Sequence, residues 1–370
     1  MKVVVTGATG NAGTSVVCRL AADPHVTEVL GLARRVPRWR QPGVRWAAAD
    51  IDPGGTPLGP LFAGAGAVVH LAWKFQPTHD PVETWRTNVL GSLRVFEEAA
   101  AAGVPALVHA SSVGAYSPGP PYDRLVDESW PAHGWPGAAY TREKAYLERC
   151  LDAFEAEHPD MRVVRMRPAF LFKEASASEQ RRIFAGPLLP GRLVRPGLLP
   201  GLPDLPGLRF QALHTDDAAA AYAAAVRLPV RGAFNLAAEP VLDVAALARL
   251  LETRVVRLPL GPARAALSAA WRLHLVPAPP GLLDALLRLP LLSSARARRE
   301  LGWEPRYSAG EAMTAFLRGL REGAGLPTPP LAGDRAPHAA DVADVSEAEA
   351  EAETEARAGA ATAAGPRRPG

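Results

Sequence analysis

A tyrosine and a lysine four residues apart are the side chains in this sequence best suited to proton transfer. Tyr140 and Lys144 open a predicted helix, and a spacing of four places both side chains on one helix face. A lysine charge beside a phenol favours the phenolate and lowers its pKa from an ordinary value of about 10. The pair therefore predicts an acid/base group that acts near neutral pH, and the alternative is an ordinary exposed helix pair.

Two serine hydroxyls follow another predicted element. Ser111 and Ser112 come directly after the apolar segment 106–108, which has the pattern of a short buried strand. In open parallel sheets, ligands bind beside the carboxyl ends of the strands. The serines are therefore expected to face a ligand, although a simple turn would also place two hydroxyls here.

A glycine-rich turn follows the first predicted strand. Gly7, Gly10 and Gly13 lie between the apolar run 3–5 and the apolar face of a predicted helix. Glycines in such a turn let backbone N–H groups and the positive end of the helix dipole approach a pyrophosphate. The turn predicts a dinucleotide site, although its GxxGxxG spacing differs from the general GxGxxG fingerprint.

The pattern of predicted elements indicates the fold class. Short apolar strands alternate with helical patterns up to about residue 170, which is typical of βαβ units and a parallel sheet. We expect an α/β fold, a Rossmann-like doubly wound parallel sheet with a smaller α/β C-terminal substrate-binding region. The expected divisions are a nucleotide-binding domain over 1–170, a substrate-binding region interleaved with the sheet over 171–326, and a disordered Ala-, Glu- and Pro-rich tail over 327–370. The Pro- and Gly-rich stretch 173–207 is expected to be loop-rich.

These motifs together carry a resemblance to a known family. Over about residues 1–320 the sequence resembles the extended short-chain dehydrogenase/reductases, in the group called NAD-dependent epimerase/dehydratases. The motifs that carry the resemblance follow in the family's order: the turn TGATGNAG at 6–13, ADI at 49–51, VHLA at 69–72, TNVLGS at 87–92, Ser111-Ser112, Tyr140 with Lys144, Arg167-Pro168, HTDD at 214–217, FNL at 234–236 and LGWEP at 301–305.

The resemblance implies roles for the chemical side chains. Ser112 would hydrogen-bond a substrate oxygen, Tyr140 would transfer the proton, and Lys144 would assist Tyr140 and hold the nicotinamide ribose. Ser112 is preferred to Ser111 because it stands four residues before Tyr116, as in the family pattern. Ser111 stays open as the second choice.

The resemblance also implies a cofactor site. Asp50 and Ile51 would flank the adenine, and Leu71, Ala72 and Asn88 would line the cofactor groove. The implied cofactor-binding residues are Gly7, Thr9, Gly10, Asn11, Ala12, Gly13, Arg34, Arg35, Asp50, Ile51, Leu71, Ala72, Asn88, Tyr140, Lys144 and Pro168. A homodimer packed through the helices around 88–100 and 140–154 is also implied.

The choice of dinucleotide depends on the end of the second predicted strand. An acidic residue there would bind the adenosine ribose hydroxyls of NAD, whereas arginine binds a 2′-phosphate bidentately. The sequence has Arg34 and Arg35 at this point and no acid. We therefore expect NADP in preference to NAD, and the alternative is that both arginines begin a solvated basic loop.

Composition excludes several other classes of protein. The 370 residues carry 41 basic and 38 acidic side chains, and this near balance gives no reason to expect nucleic acid as a partner. The apolar stretch 273–292 is broken by prolines and charges, so no membrane span is expected. Two isolated cysteines, no apolar leader before Lys2 and no metal-ligand spacing predict a cytoplasmic protein without a metal.

The expected activity is an NAD(P)-dependent oxidoreductase that transfers hydride between nicotinamide and a carbonyl or alcohol carbon of a small molecule. The segment 169–173 lacks the Tyr-Gly-Pro that is usual in nucleotide-sugar members of the family. This departure favours a smaller or more apolar substrate. A nucleotide-sugar epimerase or dehydratase is the first alternative, and a non-catalytic NADP-sensing regulator is the second.

Overall fold

A seven-stranded parallel sheet forms the centre of the computed structural model, which describes residues 1–121, 124–186, 191 and 200–334. The strands are β1 Lys2–Thr6, β2 Glu28–Ala33, β3 Val44–Ala48, β4 Ala65–His70, β5 Ala106–Ala110, β6 Leu125–Val126, β7 Arg162–Pro168, β8 Phe170–Phe172, β9 Leu202–Asp204, β10 Arg209–Phe210, β11 Ala212–His214, β12 Gly232–Leu236, β13 Leu242–Asp243, β14 Val255–Arg257 and β15 Leu291–Leu292. The central sheet has the order β12-β7-β5-β4-β1-β2-β3, and each neighbouring pair is parallel. This is the predicted α/β, doubly wound sheet.

Helices cover both faces of the sheet. They are α1 Asn11–Ala21, α2 Gly59–Phe62, α3 Pro81–Trp85, α4 Gly91–Ala101, α5 Ala139–Glu157, α6 Ala177–Phe184, α7 Thr215–Arg227, α8 Val244–Leu250, α9 Leu260–Arg272, α10 Pro280–Leu286, α11 Ala295–Leu301 and α12 Ala309–Glu322. Successive side chains of a strand point to opposite faces, so Val3 and Val5 pack with α1 and α7 while Val4 packs with α4 and α5. Burial of both faces explains why the strands are continuous apolar runs.

The strand order changes direction between β1 and β4. β1 pairs with β2 on one side and with β4 on the other, so the connections after the two strands run to opposite sides. The carboxyl ends of β1 and β4 therefore flank a crevice, which is where ligands bind in open α/β sheets. The glycine turn follows β1, and the two serines follow the next strand in the sheet, β5.

The region after residue 170 shares the sheet with the region before it. β12 pairs with β7 at the sheet edge, and Met1–Gly333 form one compact unit. The stretch 173–207 contains α6 and β9, so it has more regular structure than its prolines and glycines predict. Residues 187–190 and 192–199 of that stretch lie outside the described residues.

The start of the predicted tail belongs to the folded unit. Leu331 is fully buried, and the hydroxyl of Thr328 donates to the carbonyl of Thr9 at 2.9 Å. Folded structure therefore extends past the predicted boundary at residue 326, because Thr328 and Leu331 supply a hydrogen bond and an apolar contact. The rest of the predicted tail lies outside the described residues. Within the described ranges, none of the helices combines the length and the apolarity that a membrane crossing requires.

A buried cluster of charges fixes α5 against the sheet. Both carboxylate oxygens of Glu148 on α5 accept hydrogen bonds from Arg167 on β7, at 2.8 and 2.9 Å. Arg165 donates to the same carboxylate at 3.3 Å and Ser111 at 2.5 Å. Burial alone would raise the pKa of Glu148, but the hydrogen bonds and charge of Arg167, with Ser111 and Arg165, lower it to about 2. The carboxylate is therefore ionised at neutral pH and links α5, β7 and the loop after β5.

We predict that Arg167→Met destabilises the fold by about 3–5 kcal/mol, because it leaves the buried Glu148 carboxylate with fewer partners. The measurement is the free energy of unfolding in urea. The control is Arg45→Met, which breaks an exposed pair with Glu28 in which the arginine side chain is 78% exposed; its loss should stay below about 1 kcal/mol. Equal losses for the two variants would contradict the structural role of the cluster.

Candidate active site

The glycine turn is built to let a ligand approach the backbone. Gly7 has φ +64°, and a Cβ there would lie 2.6 Å from the backbone nitrogen of Ala72. A Cβ at Gly13 would lie 2.2 Å from the carbonyl oxygen of Gly7, so this glycine allows α1 to pack on the turn. At Gly10 the nearest atom to such a Cβ is 3.6 Å away, so the protein itself leaves space there. Among the described residues, no side chain caps α1.

These features fit the phosphates of a dinucleotide. The unfilled space at Gly10 and the uncapped N-terminus of α1 together provide a concave, electropositive backbone surface. The side chain of Asn11 contacts the protein itself, because it donates to the carbonyl of Leu171 at 3.1 Å and accepts from Thr215. Ala12 lies in the first turn of α1.

A buried lysine packs against the same turn of α1. Lys173 donates to the carbonyl of Asn11 at 2.9 Å and to the hydroxyls of Thr14 and Ser15 at 2.7 and 2.9 Å. Burial lowers the pKa of Lys173 to about 8, although the charge of Asp216 opposes the shift. Lys173 stands in the segment that departs from the usual Tyr-Gly-Pro, and sequence reasoning assigned it no role.

Ser112 and Tyr140 are brought together between β5 and α5. The Ser112 hydroxyl accepts from the backbone N–H of Gly114 at 3.0 Å, and the Tyr140 ring packs against Gly114, where a Cβ would lie 2.8 Å from Cε1 of the ring. Ser111, by contrast, donates to Glu148 in the buried charge cluster. Ser112 therefore lies beside Tyr140, whereas the Ser111 hydroxyl is part of the buried charge cluster that stabilises the fold.

The pKa of Tyr140 differs from the sequence prediction. Burial raises it to about 12, although the nearby Ser112 hydroxyl opposes the shift. Lys144 is not among the groups that shift this pKa, so the prediction that it lowers the pKa is wrong. Lys144 lies one helical turn further along α5, but its ammonium donates to the carbonyl of Ala110 at 2.6 Å and sits 3.4 Å from the ring centroid of Trp73. Burial lowers the pKa of Lys144 to about 7, against the charges of Glu143 and Glu148.

Asn88 and Glu143 form a second buried polar pair beside this site. The Asn88 amide donates to Glu143 at 2.7 Å and to the carbonyl of Lys74 at 2.8 Å, and its oxygen accepts from the Lys74 backbone N–H at 2.7 Å. Thr84 donates to the other carboxylate oxygen at 2.7 Å. Burial raises the pKa of Glu143, although both hydrogen bonds oppose the shift. Asn88 therefore fixes the loop after β4.

The remaining predicted cofactor residues lie at the carboxyl edge of the sheet. Arg34 and Arg35 directly follow β2, and both are exposed without a polar partner among the described residues. Asp50 and Ile51 follow β3; the Asp50 carboxylate accepts from the Asp52 backbone N–H, and Ile51 is buried. Leu71 and Ala72 follow β4, where both backbone N–H groups donate to Thr6. Pro168 ends β7 and is buried.

An aromatic-walled cavity of about 180 Å³ adjoins Tyr140. Phe75 stacks on the Tyr140 ring with centroids 5.1 Å apart, and Trp73 meets that ring edge-on at 5.7 Å. Phe184 of α6 and Trp271 of α9 also line the cavity. Sequence reasoning missed Trp73 and Glu143; the available signals were an aromatic residue just after a strand and an acid next to Lys144.

Comparison with known proteins supports the fold. The model of the NAD dependent epimerase/dehydratase family matches residues 3–237. A UDP-glucose 4-epimerase of Thermus thermophilus, solved with NAD, is 21% identical, with a TM-score of 0.64 over 87% of this chain and 99% of that one. The dTDP-glucose 4,6-dehydratase of Streptomyces venezuelae, solved with NAD, is 21% identical, with a TM-score of 0.65 over 90% of this chain and 100% of that one.

The curated relatives are longer than this chain. An uncharacterised protein of Sinorhizobium fredii is 25% identical over 241 residues, which are 62% of this chain and 56% of that protein. An uncharacterised protein of Mycobacterium bovis is 26% identical over 328 residues, which are 88% of this chain and 31% of that protein. The chain thus spans about half and about a third of their lengths. With a family model that matches well over half of it, this chain belongs to the NAD dependent epimerase/dehydratase family.

Proposed function

We propose that this protein is an NAD(P)-dependent oxidoreductase that moves hydride between nicotinamide and a carbonyl or alcohol carbon, with Tyr140 as the proton donor and acceptor. The observation that carries the proposal is the packing of the Tyr140 ring against the loop that carries Ser112, where a Cβ at Gly114 would lie 2.8 Å from Cε1 of Tyr140, with Lys144 one turn along the same helix. This group lies at the carboxyl edge of the sheet, as the glycine turn does. A proton donor and a dinucleotide turn on one edge are what hydride transfer to a carbonyl requires.

The chain's own residues supply a place for the dinucleotide. The bound group would supply the hydride. The residues proposed to hold it are Gly7, Thr9, Gly10, Asn11, Ala12 and Gly13 at the phosphates, Asp50 and Ile51 at the adenine, and Leu71, Ala72, Asn88, Tyr140, Lys144 and Pro168 along the groove. The exposed, unpaired Arg34 and Arg35 favour NADP, because guanidinium binds a 2′-phosphate bidentately.

The protein residues divide the proton chemistry among them. Tyr140, with a pKa near 12, keeps its proton at neutral pH and is therefore suited to donate it to a carbonyl oxygen. Ser112 would orient that oxygen, because its hydroxyl already lies at the phenol. Lys144, when charged and turned from the carbonyl of Ala110 towards the phenol, would stabilise the phenolate that remains after proton donation. In the reverse direction the same residues would accept the proton of an alcohol.

A nucleotide-sugar epimerase or dehydratase is the second candidate function. Its support is the similarity in fold to an epimerase and a dehydratase of that class. The two functions differ in their use of cofactor, since an epimerase returns the hydride within one cycle and consumes no net dinucleotide. The homodimer through α4 and α5 and the cytoplasmic location stay predictions from the sequence.

We predict that Tyr140→Phe lowers turnover by about 10²–10⁴-fold, because it removes the proton donor. Binding of the reduced dinucleotide, followed by nicotinamide fluorescence, should stay within about twofold of the wild type. The control is Tyr146→Phe, on the same helix, whose side chain is exposed and packs against Trp85 with the two rings tilted by 52°. Turnover by Tyr140→Phe at the level of this control would refute the role of Tyr140.

The pH dependence of carbonyl reduction should reflect Lys144. Because burial places its pKa at about 7, the lysine loses its charge as the pH rises through 7, and we expect kcat/KM to fall there. Lys144→Arg keeps the charge at all working pH values, so that decline should disappear even if the overall rate is lower. A decline that is unchanged in Lys144→Arg would assign the titration to another group.

We predict that replacing Arg34 and Arg35 together by Ala weakens NADPH binding by about tenfold or more, because two charged hydrogen-bond donors are removed from the 2′-phosphate. NADH binding should be unchanged. The matched control replaces Arg38 and Arg40, which are exposed in the same basic run. Equal affinity of the wild type for NADPH and NADH, or an equal loss in the control, would overturn the preference for NADP.

A further inference from the structure

The cavity beside Tyr140 has the dimensions of one aromatic ring. Its volume is about 180 Å³, and an apolar cavity of about 150 Å³ is large enough to take benzene. Its walls on the Tyr140 side are Phe75 and Trp73, and Phe184 meets Phe75 edge-on with centroids 5.7 Å apart. Aromatic rings pack favourably in such stacked and edge-on arrangements, so this wall is complementary to a further ring.

A second wall comes from α9, α10 and the segment between them, and specific contacts hold it in place. The indole nitrogen of Trp271 donates to the hydroxyl of Thr78 at 3.0 Å, and its ring stacks on His79 with centroids 4.2 Å apart. Thr78 in turn donates to the carbonyl of Pro277 at 2.6 Å. Leu282 of α10 completes the apolar lining. The cavity is therefore preformed rather than dependent on a large closure.

Charged side chains at the cavity already have polar partners. Of the described residues that line it, the two cations are Lys74, which pairs with Glu83, and the exposed Arg142, which donates to the carbonyl of Pro136 at 2.6 Å. Glu143 also lines this cavity, and its carboxylate accepts hydrogen bonds from the amide of Asn88 and the hydroxyl of Thr84. A diphosphate, with two or more negative charges, would have only Arg142 of this lining as a cation without a carboxylate partner, and Glu143 would oppose it.

From this wall chemistry we propose that the cavity takes a compact, uncharged aromatic carbonyl compound or the corresponding alcohol. The ring would pack among Phe75, Phe184 and Trp271, with the oxygen at Tyr140. The inference rests on the proposed oxidoreductase function and narrows its substrate. In the reduction, the carbonyl carbon gains hydride from the reduced dinucleotide and the oxygen gains the Tyr140 proton, which gives an alcohol and the oxidised dinucleotide.

Binding is the first test, because it does not depend on turnover. Calorimetric titration of the full chain with benzaldehyde should give measurable binding, and titration with UDP-glucose should give none. Leu282→Trp fills the cavity and should weaken benzaldehyde binding at least tenfold. Leu282→Ala enlarges it and should shift the binding preference towards 2-naphthaldehyde. The control is Leu283, the next residue, which has similar exposure but does not line the cavity; the same two substitutions there should change neither affinity.

The outcomes separate this inference from the proposed function. UDP-glucose binding tighter than benzaldehyde binding would overturn the inference, and so would benzaldehyde binding that Leu282→Trp leaves unchanged. Benzaldehyde binding that depends on Leu282, but with turnover that survives Tyr140→Phe, would support the cavity assignment and refute the role of Tyr140. Turnover of another substrate that depends on Tyr140, with no benzaldehyde binding, would refute the cavity assignment alone.

Discussion

The buried carboxylate of Glu148 is the interaction on which the candidate site depends. It receives hydrogen bonds from β7 through Arg167 and Arg165, and from the loop after β5 through Ser111. Glu148 lies one turn beyond Lys144 on α5. The charge cluster therefore fixes the register between the helix that carries Tyr140 and the loop that carries Ser112. Two arginines beside one carboxylate also keep that carboxylate ionised, and charge-assisted hydrogen bonds of this kind are both directional and strong.

The parts of the site that depend on backbone geometry could be predicted from the sequence. The turn at Gly7, Gly10 and Gly13 is such a part, because the spacing of the glycines after an apolar strand indicates a turn that side chains would obstruct. The parallel sheet is another, because two-sided burial demands continuous apolar strands. The family resemblance also implied that Ser112 and Tyr140 act together. In the structure the start of α5, which carries Tyr140, packs against the loop after β5, which carries Ser112.

The electrostatic state of the site could not be predicted from spacing. A separation of four residues places Lys144 near Tyr140, but it does not reveal that Trp73 covers the ammonium or that Ala110 accepts its hydrogen bond. These contacts come from the loop after β4 and from the end of β5, which are remote in sequence. The same limit applies to the C-terminal part of the folded unit, where Thr328 donates a hydrogen bond to Thr9, more than 300 residues earlier in the sequence. Local composition placed the start of the tail at residue 327, and the long-range hydrogen bond keeps Thr328 in the folded unit.

Burial shifts the pKa values of the two titrating side chains of the site, Tyr140 and Lys144, in opposite directions. It raises the pKa of Tyr140 to about 12 and lowers that of Lys144 to about 7, so both shifts favour the uncharged form. A buried site of this kind keeps the phenol protonated at neutral pH until a developing negative charge on a substrate oxygen can accept the proton. In the proposed reaction the charged form of Lys144 would assist that transfer, so the low pKa of the lysine, rather than that of the phenol, would set the pH at which the site stops working. An uncharged aromatic substrate of the kind proposed for the cavity would add no further charge beside these two groups.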